Sequence, residues 1–325
     1  MFKSLLRPLN RYPVRMVTRS HHLYSRSFPL IHEFISPQPS YLLNLTLAPH
    51  LSTPPLPTQL PTSGELPPGH HMVYFPPQLP ESELLPDGSD ASQNPGPEWV
   101  RRMWAGGSVH FHPTKKMELM DHAVLQEKVV DLQTRGKPGS KDERMFVYFE
   151  RSMWSGKQPL QPSDLIEGEA AVVENRCLVF FRGAKDETAV ARVVKPPHEA
   201  DFSLTFMPTQ HLLFRFSALT FNAHKIHFDP LFTQHKEKYP GLLCHGPMSL
   251  VLLLELLRVN VLDTGNDRTW RVKQFDYRCL APMYVDQPYK ICGRKISDKT
   301  YELWAETPQG GYSVKGMAML EEETS

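Results

Sequence analysis

Residues 246–260 read GPMSLVLLLELLRVN, and this stretch restricts the possible folds more than any other in the chain. It is too long for an ordinary strand and is built mainly of Leu and Met, which favours a helix. Pro247 falls in the first turn, where the missing N–H costs nothing. Such a helix is apolar on nearly every face, so it cannot lie on a surface and must be wrapped on all sides.

The wrapping material is β-rich. After the helix come TWRVKQFDYRCLAP (269–282), QPYKICGRKIS (287–297), TYELWAET (300–307) and YSVKGMAMLEEE (312–323). Before it, VRRMWAGGSVHF (100–111), HAVLQEKVVDLQTRG (122–136), RMFVYFERSMWS (144–155) and AAVVENRCLVFFRG (170–183) carry the same enrichment in β-branched and aromatic residues. A single buried helix held by an antiparallel sheet is a hot-dog domain. The matching strand runs of the first half predict a degenerate second copy, so the expected class is α+β, a double hot dog. The copy is inferred from architecture, because no exact internal repeat is present.

The chain of 325 residues has room for two such units. Fifteen of its 31 prolines lie between 37 and 97. Proline lacks the ladder donor and breaks helix interiors, so this region is expected to be an extended lead-in, with HHMVYFPPQ as a short apolar anchor. Order is expected to begin near Glu98, and GAKDETAVARVVKPPHEADF reads as a surface connection between halves. The expected units are a targeting segment (1–27), a Pro-rich lead-in (28–65), an N-terminal degenerate hot dog (66–200) and a C-terminal catalytic hot dog (201–325).

The head, MFKSLLRPLNRYPVRMVTRSHHLYSRS, holds Lys3, Arg7, Arg11, Arg15, Arg19 and Arg26 and no acidic residue. That is the composition of a mitochondrial transit peptide, which implies a matrix location. The formal net charge of +1 gives no reason to expect a nucleic-acid partner. No run of about 18 apolar residues suggests a membrane span. Four cysteines without a CxxC pair fit reduced thiols, not a disulfide framework or zinc site.

One polar cluster stands against this apolar background. FSALTFNAHKIHFDP (216–230) precedes YPGLLCHGPMSLVLLLELL (239–257), so Asn222, His224 and His227 fall just before the helix. The two stretches together resemble the hydratase motif of MaoC-like hot-dog enzymes. More closely, the chain resembles the mitochondrial type 2 hydroxyacyl-thioester dehydratases of fungi and the mesaconyl-C4-CoA hydratases, with VRRMWAGGSVHF matching their first hot dog. The likeness covers about residues 66 to 322. It implies dehydration of a 3-hydroxyacyl thioester to the trans-2-enoyl thioester in mitochondrial type II fatty acid synthesis. The partner would be acyl carrier protein or CoA. No cofactor is implied, because the thioester itself acidifies Cα.

The chemistry of the motif agrees. His227 can shuttle protons near neutrality. The Gly246 N–H, at the positive end of the helix, can donate to the oxygen of a developing enolate. The family's aspartate is Asn222 here and its asparagine is His224. An amide takes no proton, so Asn222 would orient water or the substrate hydroxyl, and His227 would act as the main acid and base. Ser217, His224, Asp229 and His245 are the expected substrate-side or supporting residues. No metal is expected, since His224-x-x-His227 lacks a third ligand in the sequence.

Three alternatives stay open: a mesaconyl-C4-CoA-type hydratase, a non-catalytic acyl-thioester-binding subunit, and a thioesterase. The first needs a cation for a distal carboxylate, with Arg215, Lys225 and Arg278 as candidates. Arg101, Arg102, Lys115 and Lys116 read as a solvated basic face in preference to a phosphate site. A homodimer is a further expectation.

Overall fold

The computed structural model describes residues 21–51, 59–183, 193–263 and 270–323. Most of the targeting segment (1–20) and part of the inter-half connection (184–192) lie outside the described residues.

Ten strands form one antiparallel sheet. They are β1 (Ile31–Phe34), β2 (Arg101–Phe111), β3 (His122–Arg135), β4 (Arg144–Gly156), β5 (Val172–Phe181), β6 (Phe202–Phe206), β7 (Trp270–Cys279), β8 (Tyr289–Ser297), β9 (Thr300–Glu306) and β10 (Tyr312–Glu322). The order across the sheet is β1-β3-β4-β5-β2-β7-β10-β9-β8-β6. Divided between β2 and β7, it yields two five-stranded halves with one internal order, first-third-fourth-fifth-second. The duplication absent from the residues is therefore present in the topology, and the double hot dog stands. The halves join where Gly106 to His110 of β2 pair with Gln274 to Arg278 of β7.

Among the described residues five α-helices accompany the sheet: α1 (His21–Tyr24), α2 (Pro37–Leu47), α3 (Pro162–Glu167), α4 (Gln210–Leu219) and α5 (Gly246–Leu257). Every residue of α5 from Met248 to Leu257 is buried, as its composition demands. That includes Glu255, whose carboxylate lies 3.1 Å from His70 Nε2 and 2.7 Å from Arg258 Nη2. Burial alone would raise its pKa, but His70 and Arg258 hold it at about 2.

The Pro-rich lead-in is more structured than its composition suggests. β1 pairs with β3 from Ile31–Leu125 to Phe34–His122, and α2 follows directly. Pro37 and Pro39 sit in the first turn of α2, where backbone N–H groups have no intrahelical partner, so they start the helix instead of breaking it. The expected boundary at 65/66 thus falls inside the first half, and order begins well before Glu98. The anchor is as expected, with Met72, Val73, Tyr74 and Phe75 all buried. Leu23, inside the segment assigned to targeting, is fully buried against a cluster containing Trp99, Phe149 and Phe180.

Between β1 and β2 the counterpart of α5 has shrunk to one 3-10 turn, His70–Val73. One detail survives in both halves. Ser40 of α2 bonds His70 Nδ1 at 2.7 Å, and Ser217 of α4 bonds His245 Nε2 at 2.8 Å. In each case a helix after the half's first strand offers a serine to a histidine at the start of a later helix or turn.

Candidate active site

The site is assembled where α4 ends and α5 begins. Thr209 caps α4 by accepting from Leu212 N at 3.1 Å. At the other end Phe221 takes a left-handed conformation (φ 49°), a conformation costly for an aromatic residue, and turns the chain sharply. Asn222 N then donates to Ser217 O at 2.8 Å, and the Asn222 side chain folds back over the turn. Its Oδ1 accepts from His224 N at 2.9 Å, which commits the carbonyl end and leaves the NH2 as the group available to a ligand. A 3-10 turn, Lys225–His227, brings His227 under the loop that leads into α5.

There His227 Nδ1 lies 2.7 Å from the carbonyl oxygen of Leu243. A carbonyl only accepts, so Nδ1 carries the proton and Nε2 keeps a lone pair. Burial, followed by the neighbouring His245 and His224, lowers the His227 pKa well below the ordinary value. The ring stacks on His245 at 3.7 Å and meets His224 edge-on at 5.5 Å. His245 is itself lowered to about 3, mainly by burial. The result is a neutral imidazole, oriented by its backbone partner, ready to accept a proton.

Gly246 opens α5 beside it. A Cβ at this position would stand 2.4 Å from Trp104 Cβ, so the glycine is required by a tryptophan from the other half of the chain. Trp104 is held by its Nε1–H to Tyr277 Oη at 2.7 Å and by the Arg176 guanidinium 5.0 Å above its ring. The Gly246 N–H has no protein acceptor among the described residues. Asn222, His224, His227, Cys244, Gly246 and Ser249 line one cavity of about 540 Å³, to which Arg102, Trp104 and Phe75 of the first half also contribute. Burial keeps the Cys244 thiol protonated, so it is no ready nucleophile.

The active-site loop is also clamped from the first half. A Cβ on Gly88 (φ 80°) would lie 1.9 Å from Ala223 O, so only glycine admits this approach. Lys225 N donates to Asp87 O at 2.8 Å, and Asp87 Oδ2 lies 3.4 Å from His224 Nε2. Burial would raise the Asp87 pKa, but its bonds from His224 and Ser89 bring it well below the usual carboxylate range.

Comparison with known proteins now has a geometry to refer to. Residues 69–285 match the family described as hydroxyacyl-thioester dehydratase type 2. The chain belongs to this family. It is 28% identical over 297 residues to the mitochondrial hydroxyacyl-thioester dehydratase type 2 of Schizosaccharomyces pombe, covering 85% of this chain and 92% of that protein. It is 32% identical over 267 residues to the mesaconyl-C(4)-CoA hydratase of Chloroflexus aurantiacus, covering 81% and 87%. A MaoC-like dehydratase structure from Phytophthora capsici shares the fold with a TM-score of 0.64 at 14% identity, covering 93% of this chain and 98% of that one.

Within this family member, Asn222, His224, His227 and Gly246 come together as their spacing predicts. Ser217 and His245 lie one layer below the cavity, bonded to each other, and support His227 without facing a ligand. Asp229 does not reach the cavity. It caps the following turn by accepting from Phe232 N at 2.9 Å, because the chain turns away after His227. The basic face also resolves differently. Arg101 pairs with Glu237 at 2.8 Å, Lys116 with Glu65 at 2.8 Å, and Arg102 lines the cavity. Arg215 and Arg278 are exposed, and Lys225 Nζ is bound to Pro86 O at 2.8 Å. Asp87, Gly88 and Trp104 escaped sequence reasoning. Only the Asp-Gly turn of LLPDGSD hinted at a fixed loop.

Buried neutral histidines make stability depend on pH. His71 is lowered to about 4 and His245 to about 3, each mainly by burial. The unfolded chain takes up these protons near 6.5, before the folded one does, so it binds more protons between that value and the folded ones. The stability they confer is present above about pH 6.5 and is lost as pH falls towards 4. Urea midpoints measured at pH 7.5, 6 and 5 should fall at each step, and a flat series would refute it. Catalysis should behave differently. Because His227 stays neutral, kcat/KM should hold as pH drops through 6.5 while the protein remains folded.

Proposed function

We propose that this protein interconverts 3-hydroxyacyl and trans-2-enoyl thioesters, carried on CoA or acyl carrier protein, by loss or addition of water. The observation that carries this is the His227 tautomer: Nδ1–H is fixed on Leu243 O, which leaves the lone pair on Nε2, in a residue that lines the same cavity as Gly246. In the dehydrating direction His227 Nε2 takes the Cα proton. The enolate oxygen is stabilised by the Gly246 N–H and the positive end of α5. The Asn222 NH2 donates to the β-hydroxyl, and the proton held on His227 leaves with that hydroxyl as water. Hydration is the reverse. The dry walls behind α5 strengthen each interaction.

The basic, acid-free head and the mitochondrial name of the fission-yeast relative support import into mitochondria, with the matrix as destination and fatty acid synthesis as setting. Removal of all of 1–27 would strip out the buried Leu23, so we place processing before Leu23.

The test uses protein starting at His21, supplied with crotonyl-CoA, with loss of the conjugated enoyl absorbance followed. Steady hydration without release of free thiol is the expected result. Free CoA would favour a thioesterase. Tight binding without turnover would favour the non-catalytic subunit.

A further inference from the structure

His224 lines the cavity, yet the chemistry described so far leaves its side chain without a task. The residue is buried, with 7% of its surface exposed. Its Nε2 lies 3.4 Å from Asp87 Oδ2, and a carboxylate offers only lone pairs, so the proton sits on Nε2 and the lone pair on Nδ1. Nδ1 has no hydrogen-bond partner in the protein among the described residues. Unlike His71 Nε2 and His245 Nδ1, it is not sealed in, so it opens on the cavity. A buried acceptor costs free energy until something donates to it. Holding the loop does not require this pair. Lys225 N donates to Asp87 O at 2.8 Å, Lys225 Nζ to Pro86 O at 2.8 Å, and Ala223 O packs on Gly88.

We infer that His224 Nδ1 accepts the O–H of the substrate's β-hydroxyl, or of the water that adds to Cβ, and that Asp87 is the positioning residue that sets the tautomer this needs. The inference rests on the hydratase reading above and supplies the acceptor that reading lacks. The Asn222 NH2 and the proton carried by His227 both donate to the departing oxygen, and neither holds the hydrogen it already bears. Asn222 Oδ1 cannot do so, because it accepts from His224 N at 2.9 Å. His224 follows Asn222 by two positions, lines the same cavity and meets the His227 ring edge-on at 5.5 Å, so the three groups are disposed about one part of it. The four directions of the oxygen are then used. They are the breaking bond to Cβ, the proton arriving from His227, the hydrogen bond from Asn222, and its own hydrogen given to His224 Nδ1.

The orientation of Asp87 supplies one variant. Its Oδ1 accepts from Ser89 N at 2.9 Å and from Ser89 Oγ at 2.6 Å, which leaves Oδ2 for the histidine. In Asp87→Asn the amide oxygen stays with Ser89 and the NH2 faces Nε2. The lone pair then moves to Nε2, and Nδ1 turns from acceptor to donor. The test compares 3-hydroxybutyryl-CoA with 3-fluorobutyryl-CoA of matched configuration, since fluorine is close to hydroxyl in size but bears no hydrogen. With the fluoride, His227 takes the Cα proton, the C–H pair becomes the double bond, and the C–F pair leaves as fluoride. Both reactions give crotonyl-CoA, read by its enoyl absorbance. His224→Leu should lower kcat/KM for water loss relative to fluoride loss by roughly 10- to 100-fold, and Asp87→Asn should lower the same ratio by about tenfold. Asp87→Asn keeps the size of the side chain and its Ser89 bond, so it decides the matter if His224→Leu fails to fold. Equal losses on the two substrates in Asp87→Asn would overturn the inference, because damage to the loop slows both. An unchanged ratio would overturn it as well. Wild-type protein inert on both 3-hydroxybutyryl-CoA and crotonyl-CoA would instead sink the hydratase reading, and the role of His224 with it.

Discussion

Replacing His227 by glutamine is expected to lower kcat on an enoyl thioester by roughly three orders of magnitude with little change in fold. Glutamine keeps a donor able to reach Leu243 O, so the loop that the histidine pins in place remains pinned. What disappears is the base, a ring held by Leu243 O with its lone pair on Nε2. Asn222 cannot substitute, because its oxygen already accepts from His224 N and an amide nitrogen is not a base. Asn222→Ala should therefore cost less, on the order of tenfold, as loss of one neutral hydrogen bond to hydroxyl or water. Stopped-flow measurement of single turnovers separates the two. A His227→Gln protein with wild-type kcat would remove the base from the mechanism.

Gly246→Ala should be nearly as severe, and for two reasons at once. The added methyl would lie 2.4 Å from Trp104 Cβ and 2.5 Å from its Cγ, atoms near the backbone that cannot swing aside. Either α5 or β2 must shift, at a stability cost of about 1–3 kcal/mol or more. The same shift re-aims the Gly246 N–H, and a misplaced oxyanion donor costs about 10²- to 10³-fold in kcat. Thermal unfolding and kcat should both change, and Gly246→Ala should cost less stability in a Trp104→Gly background, where the clashing Cβ is gone, than in the wild-type protein. If Gly246→Ala were neutral in both measurements, the contact with Trp104 would not be the reason for glycine there.

The two variants differ in how visible their cause was beforehand. His227 and its relation to α5 are local: a histidine, a short loop and an HG turn lie within one stretch of chain, and their spacing carries the chemistry. The Trp104–Gly246 contact joins residues more than a hundred positions apart, through the β2–β7 seam. Nothing in RRMWAGG states which glycine its tryptophan will meet. Pro37 and Pro39 misled for a related reason. Proline content argues against helix in general, but the first turn of α2 is the one place where it does not. Arg102 read as surface because charge on a strand is usually solvated, whereas in the fold it lines the cavity.

The sequence by itself determined that α5 must be buried, that an antiparallel sheet surrounds it, and that His227 stands at its mouth. Hydrophobic periodicity and motif spacing act over short lengths of chain and leave their mark there. The tertiary structure alone decided the second wall of the cavity: Trp104 against Gly246, Asp87 and Gly88 against the catalytic loop, and Arg102 lining the same cavity as His227. Those contacts depend on how two half-sheets align across one seam, and no local pattern of residues encodes that alignment.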